Sequence, residues 1–336
     1  MTNNSKLGPW IRRFLLEHMV VDRNLSKNTQ RSYRDTLALL LPFVAKELKK
    51  QVDHLLVEQL SADVVRLFLQ HLEEVRSCCA ATRNQRLAGI HALARFIGEH
   101  SPEHVAWCGQ VRLVPFKKTS QPHIHYLDKP EVDALLSTAK GDSVQARKDY
   151  ALILFLYNSG TRVSEAVHLT IGDFEIRHPS GSLQHVVKVF GKGSKTRYCP
   201  LWPATAAALA VVTAGRQPEA RVFLNRLGQP LTRSGVYALV ERYGQRAAAK
   251  QPSLKNKKVT PHVIRHTTAC HLLKAGVDLN TIRAWLGHVS LDTTNIYAEI
   301  DVEMKSKALA KCEISGDGNK KRWRDDADLL VFLKSL

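Results

Sequence analysis

The chain has 336 residues, 44% hydrophobic and 24% charged, the proportions of a soluble globular protein long enough for two separate cores. Its 49 Lys and Arg against 31 Asp and Glu leave a formal net charge of +18, which favours a polyanionic partner because neutralised phosphates release condensed counterions. No apolar run nears the roughly 20 residues of a membrane span; residues 1–6 lack the apolar core of a secretory signal; and the six cysteines, at 78, 79, 108, 199, 270 and 312, form no C-x-x-C pair. The composition therefore indicates a cytoplasmic protein with reduced thiols and no membrane partner. Charge alone would also suit a ribosome-associated or merely basic protein.

The first hundred residues read as helices. Residues 28–47 carry Tyr33, Leu37, Leu40, Leu41 and Val44 at helical spacing, with Lys27, Arg31 and Arg34 on the other face. Residues 64–75 repeat the pattern through Leu67, Phe68 and Leu72. A third helix is expected to open on the capping-box pattern Thr82-Arg83-Asn84-Gln85, to continue through Leu87, Ile90, Leu93, Ala94 and Ile97, and to stop at Gly98. Arg83, Arg86 and Arg95 occupy its polar positions. Such basic faces suit DNA, and equally a solvated surface. Residues 109–125 lack helical periodicity and contain Pro115, Lys117, Lys118 and Pro122, as a linker does.

A second domain opens at Asp128-Lys129-Pro130-Glu131, where Asp caps, Pro fits the first turn and Glu follows three residues on. A buried helix covers 150–157, and Gly160 can end it. Residues 185–190 alternate as a strand, Gly191-Lys192-Gly193-Ser194 turns the chain, and 196–201 returns, giving a hairpin with a basic tip. Helices are expected at 204–214, 233–249, 262–275, 279–285 and 302–311. Residues 315–328 are polar and tether-like, and Leu329–Leu333 is an apolar patch for folding back or for docking on a neighbouring protomer. The predicted fold class is mainly α with a small antiparallel hairpin, an α+β chain. Its segments are a helical domain over 1–108, a linker over 109–125, a mixed domain over 126–312 and a tail over 313–336.

Chemistry concentrates in the second domain. Arg162 lies in Gly160-Thr161-Arg162-Val163-Ser164-Glu165, and further on come Thr260-Pro261-His262-Val263-Ile264-Arg265-His266, Leu286-Gly287-His288 and Tyr297. Two guanidiniums, two imidazoles and a phenol can break a phosphodiester without a metal. Guanidiniums are always charged and meet phosphate oxygens in a fork. His262 and Arg265, three apart, share one helix face near its phosphate-attracting N-terminus. Tyr297 can attack once a base such as His262 lowers the cost of its ordinary pKa near 10. His288 can donate to a phosphate oxygen, and Lys192 can protonate the departing 5′ oxygen. Each residue alone has a plainer reading: an exposed Arg, a core Tyr, a simple hairpin turn. Gly191-Lys192-Gly193 is no Walker A loop. His262 and His266 have metal-pair spacing, but Val263 stands where a zincin carries Glu. No metal is expected, and His266 reads as a buried imidazole with its hydrogen bonds made.

The order and spacing of these residues resemble the tyrosine site-specific recombinases: phage integrases, Xer-type, integron and transposon recombinases. The likeness extends upstream to Leu25-Ser26-Lys27-Asn28-Thr29, Tyr33 and Thr82–Leu87, so it covers about residues 7–311. It implies a two-domain, C-shaped DNA clamp with a SAM-like core-binding domain and a catalytic domain. It implies that Arg162 and Arg265 bind the scissile phosphate, Lys192 is the general acid, His262 the base, His288 a phosphate donor and Tyr297 the nucleophile of a 3′-phosphotyrosyl intermediate. Glu165 resembles the family's supporting acidic residue, with a simple surface pairing as the other reading. Lys27, Arg31, Arg34, Arg83 and Arg86 are candidate DNA contacts. The resemblance further implies double-stranded DNA with paired sites, a homotetramer, a Holliday junction, no cofactor, a possible partner recombinase or directionality factor, and a nucleoid-associated place in the cytoplasm. Departures are Thr268, Cys270, a long loop over 176–184 and the tail beyond 315. A type IB topoisomerase shares the phosphotyrosine chemistry, and a silent DNA-binding accessory protein would share the charge.

Overall fold

The computed structural model describes residues 5–119, 125–174, 185–191 and 195–287. The expected helix at 302–311, the tether, the apolar patch and the loop over 176–184 lie outside them. The chain divides into two compact units, Met1–Pro122 and His123–Leu336. No helix among the described residues is long and apolar enough to cross a membrane.

The first unit is helical. Helix α1 (Leu7–Arg13) runs into a π-helical stretch, Phe14–Asp22. Helix α2 (Lys27–Glu47) starts at Ser26, whose hydroxyl accepts from the Thr29 amide at 3.3 Å. Helices α3 (Ala62–Glu74), α4 (Ala80–His100) and α5 (Val105–Arg112) follow. Leu37, Leu40 and Val44 of α2 meet Phe68, Leu69 and Leu72 of α3 and Leu87, Ile90, Leu93 and Ile97 of α4 in one apolar core. Each such side chain contributes about 1.5–3 kcal/mol by leaving water.

Three local expectations are corrected. Helix α4 starts at Ala80, two residues before Thr82, and its N-cap is Cys79, whose Sγ lies 3.4 Å from Thr82 Oγ1. A left-handed Ser77 (φ 51°) turns the chain early enough for the helix to begin there. Gly98 does not end the helix. A Cβ there would sit 2.7 Å from Cys108 Cβ, so the glycine serves the close approach of α5. Residues 109–114 are not linker either: α5 runs to Arg112, and Val111 and Val114 fill the core. Their apolar side chains are too few to show a period, and only packing against α4 makes them helical.

The second unit begins with α6 (Lys129–Ala139), where Glu131 accepts from the Asp128 amide at 2.8 Å. Helix α7 (Val144–Ser159) is buried on every side from Ala151 onward and so forms the centre of the unit. A one-turn helix α8 (Val163–Ala166) follows. Strands β1 (Val186–Phe190) and β2 (Thr196–Pro200) pair antiparallel, Val186 opposite Pro200 and Phe190 opposite Thr196. Then come α9 (Pro203–Thr213), α10 (Arg233–Ala247), α11 (Pro261–Lys274) and α12 (Leu279–Leu286). Helix α7 packs against α6, α9 and α11, and α12 packs on α11 and β2. Among the described residues the architecture is helical with one small antiparallel hairpin, the fold class expected.

Gly160 ends α7 in the left-handed region (φ 58°), and a Cβ there would lie 2.6 Å from Leu286 Cδ2. Conformation and close approach both require glycine. Gly160→Ala is expected to cost at least about 2 kcal/mol, from backbone strain plus overpacking. Thermal unfolding of the two proteins side by side checks this; an unchanged midpoint would contradict it.

Candidate active site

Arg162 stands at the N-cap of α8, directly after the turn at Gly160. Its Nη1 donates to Glu165 Oε1 at 2.9 Å, its amide donates to Glu165 Oε2 at 2.9 Å, and its Nη2 reaches the Gly287 carbonyl at 3.2 Å. Arg265 lies on α11, one turn beyond the Thr260 cap and Pro261. Its Nη1 donates to the Gly160 carbonyl at 2.5 Å and its Nη2 to the Leu286 carbonyl at 2.7 Å. The two arginines, 103 positions apart in sequence, thus meet on the carbonyls that close α12.

Glu165 is no surface partner. It is buried, and its two oxygens are shared between Arg162 and a third guanidinium, Arg197, at 2.6 Å from Oε2. Burial pushes its carboxyl up, but the bonds and charge of Arg197 and the bonds of Arg162 prevail and hold it below the usual carboxylate range. Arg197 also donates from Nε to the Trp285 carbonyl at 2.8 Å. Sequence reasoning missed Arg197. The available signal was strand alternation: it shares the inward face of β2 with the fully buried Cys199, and an inward guanidinium needs an acidic partner.

His262, at the start of α11, keeps an exposed edge while its ring stands 4.7 Å from that of His266. Desolvation lowers its pKa, and the charges of Arg265 and Arg162 lower it further. The same causes act harder on His266: burial, then His262 and Arg265, bring it to about 4. Both imidazoles are therefore neutral near pH 7, and a neutral imidazole can accept a proton. Three guanidiniums and one carboxylate beside two neutral imidazoles make a site of predominantly positive charge, suited to a phosphate. Behind it Thr268 is buried and donates to the Tyr157 carbonyl at 2.7 Å, joining α11 to α7, while Cys270 packs with Leu273, Ile282 and Leu286. Lys192, His288 and Tyr297 lie outside the described residues.

The candidate DNA contacts of the first unit divide. Lys27, Arg31 and Arg34 are exposed along α2, with Arg34 bonded to its neighbour Asp35 at 2.7 Å. Arg83 is buried and donates to the Pro115 carbonyl at 2.8 Å. Arg86 is half-buried and ties α4 to Ser32 and Thr36 of α2. Three-residue spacing cannot tell an outward arginine from one that braces the next helix.

Residues 125–304 match the phage integrase family, and residues 11–99 match the phage integrase N-terminal SAM-like domain. The chain is 36% identical to the "Putative integrase/recombinase y4rC" of Sinorhizobium fredii across 100% of both chains. It is 31% identical to tyrosine recombinase XerD of Bifidobacterium longum, over 86% of this chain and 92% of that one. Its fold is similar to that of the Tn1549 transposon integrase in complex with transposon right-end DNA, with a TM-score of 0.67 at 16% identity, covering 90% and 99% of the two chains. The chain belongs to the phage integrase family of tyrosine recombinases. It is a recombination enzyme, and its class of reaction is site-specific DNA recombination.

The histidine pair generates a pH prediction. An unfolded imidazole titrates near 6.5, whereas folded His266 titrates at about 4. Between those values the unfolded chain binds more protons, so stability falls as pH drops through that window. Denaturant unfolding at pH 7.5 and pH 5 is expected to show less stability at pH 5, and His266→Gln to reduce the difference. An equal pH dependence in both proteins would contradict the assignment.

Proposed function

We propose that the chain recombines paired DNA sites by metal- and ATP-independent strand exchange through a 3′-phosphotyrosyl intermediate. The observation that carries the reading is the convergence of Arg162 and Arg265 on the end of α12, next to a neutral His262. Transition-state charge on a phosphate grows on its non-bridging oxygens, and fixed guanidiniums stabilise it without reorganising. Arg162 and Arg265 take those oxygens, with His288 donating beside them. His262 accepts the Tyr297 proton as the phenolic oxygen bonds to phosphorus. The bond from phosphorus to the 5′ oxygen breaks, and Lys192 protonates that oxygen. The phosphotyrosyl ester conserves the bond energy, so a 5′ hydroxyl of the partner strand can reverse the step and complete the exchange.

In this reading the first unit, which extends through α5 and Val114, is the core-binding domain, residues 126–312 are the catalytic domain, and both contact the duplex. Four copies assemble on two sites through a Holliday junction, and residues 313–336 dock between copies. The reaction takes place on cytoplasmic DNA, with a partner recombinase or directionality factor as a further participant. Lys27, Arg31 and Arg34 hold the backbone, whereas Arg83 and Arg86 shape the domain that presents them.

The test incubates wild type and Tyr297→Phe with DNA from the protein's own genetic neighbourhood, metal chelated and ATP omitted. A denaturing gel is expected to show a covalent protein–DNA adduct in wild type only. Tight binding without an adduct would favour the accessory-protein reading. Supercoil relaxation by a monomer on one site would favour a type IB topoisomerase.

Backbone contacts make a separate prediction. Lys27→Ala and Arg31→Ala are each expected to reduce the slope of log affinity against log salt by about one. Arg83→Ala is expected to lower the melting temperature of the first unit instead, since it removes the bond to Pro115.

A further inference from the structure

Arg197 takes no part in the steps above, yet it is far more enclosed than Arg162. Its side chain is 10% exposed against 35% for Arg162, and both face the same carboxylate. One partner is enough to neutralise a buried carboxylate, and Glu165 already has Arg162. The second guanidinium is therefore in excess of what charge balance requires, and the cost of burying it is offset by the bonds it makes.

The geometry shows what those bonds do. Arg197 is held from two elements at once: Nη2 on Glu165 of α8 and Nε on the Trp285 carbonyl of α12. Two bonds in different directions fix the plane of a guanidinium, which a single ammonium cannot reproduce. Glycines make the space around it. A Cβ on Gly287 would lie 3.0 Å from Arg197 Nη1, and one on Gly191 3.4 Å. Glu165 Oε2 takes the Arg197 bond together with the Arg162 amide, which leaves Oε1 for the Arg162 side chain. If Arg197 is removed, the carboxylate can rotate, and Arg162 rotates with it. The 3.2 Å bond from Arg162 Nη2 to Gly287 is the longest in the set, so this edge is the one most readily exchanged for a phosphate oxygen.

We infer that Arg197 is a positioning residue for recombination: it locks the Glu165 carboxylate and so sets the orientation in which Arg162 meets the scissile phosphate. The inference rests on the proposed phosphate-binding role of Arg162.

The experiment compares wild type, Arg197→Gln, Arg197→Lys and Arg162→Ala in covalent cleavage of two DNAs. One carries an ordinary scissile phosphate and the other a methylphosphonate, whose methyl group replaces one charged oxygen and so removes the charge that Arg162 balances. On ordinary DNA both Arg197 variants are expected to bind as wild type does and to cleave about 100-fold more slowly, the loss expected of a misplaced reacting group. On methylphosphonate DNA Arg197→Gln and Arg162→Ala are both expected to recover most of the loss. A purely structural residue would lose activity on both DNAs, so an unrescued Arg197→Gln beside a rescued Arg162→Ala overturns the inference. An unrescued Arg162→Ala overturns the underlying assignment of Arg162 instead. Should Arg197→Gln unfold, Arg197→Lys keeps a cation beside Glu165 and is read by the same criteria.

Discussion

The end of α12 is the constraint on which the site depends. An α-helix leaves its last carbonyls without intrahelical partners, and α12 has only eight residues. The carbonyls of Trp285, Leu286 and Gly287 accept from Arg197, Arg265 and Arg162 respectively. The same Arg265 also takes the Gly160 carbonyl at the end of α7. Three guanidiniums thus satisfy the ends of two helices, and helix C-termini carry the partial negative charge that suits them. Capping and charge concentration are one event. Strand β2, α7, α8, α11 and α12 all meet there, so movement in any of them shifts an arginine.

That concentration sets the protonation of its neighbours. Glu165 stays ionised despite burial because two guanidiniums bond to it. His262 and His266 are driven toward the neutral form by desolvation and by adjacent positive charge. The same field therefore supplies cations for a phosphate and a neutral imidazole for a proton. Composition alone gives no hint of this, because burial is the first cause of both histidine shifts, and Arg197 and Arg162 reach Glu165 and His262 respectively from other elements of the fold.

Local signals were legible where they rest on backbone chemistry. Gly160 as a helix end, Asp128 to Glu131 as a helix start and the hairpin of 185–201 all follow from turn and cap residues. Thr82 and Gly98 misled for the reverse reason: a turn at Ser77 started α4 early, and Gly98 met the demand of a close helix contact, not of a terminus. Arg83 and Arg86 looked like surface charge because amphipathic spacing records only which residues are polar. Their partners, Pro115, Ser32 and Thr36, come from other segments.

By itself the sequence determined the element types, the charge and the ordered set running from Arg162 through Lys192, His262, Arg265 and His288 to Tyr297. That order is what marked the family, because chain order survives without knowledge of distance. Tertiary structure decided which cations are buried and what they hold: Glu165 as a shared, enclosed carboxylate, Arg197 as its second partner, and Arg83 as a brace within the first unit. The physical reason is that burying a charge requires a compensating partner, and the partners here are brought together only when distant helices and one strand pack.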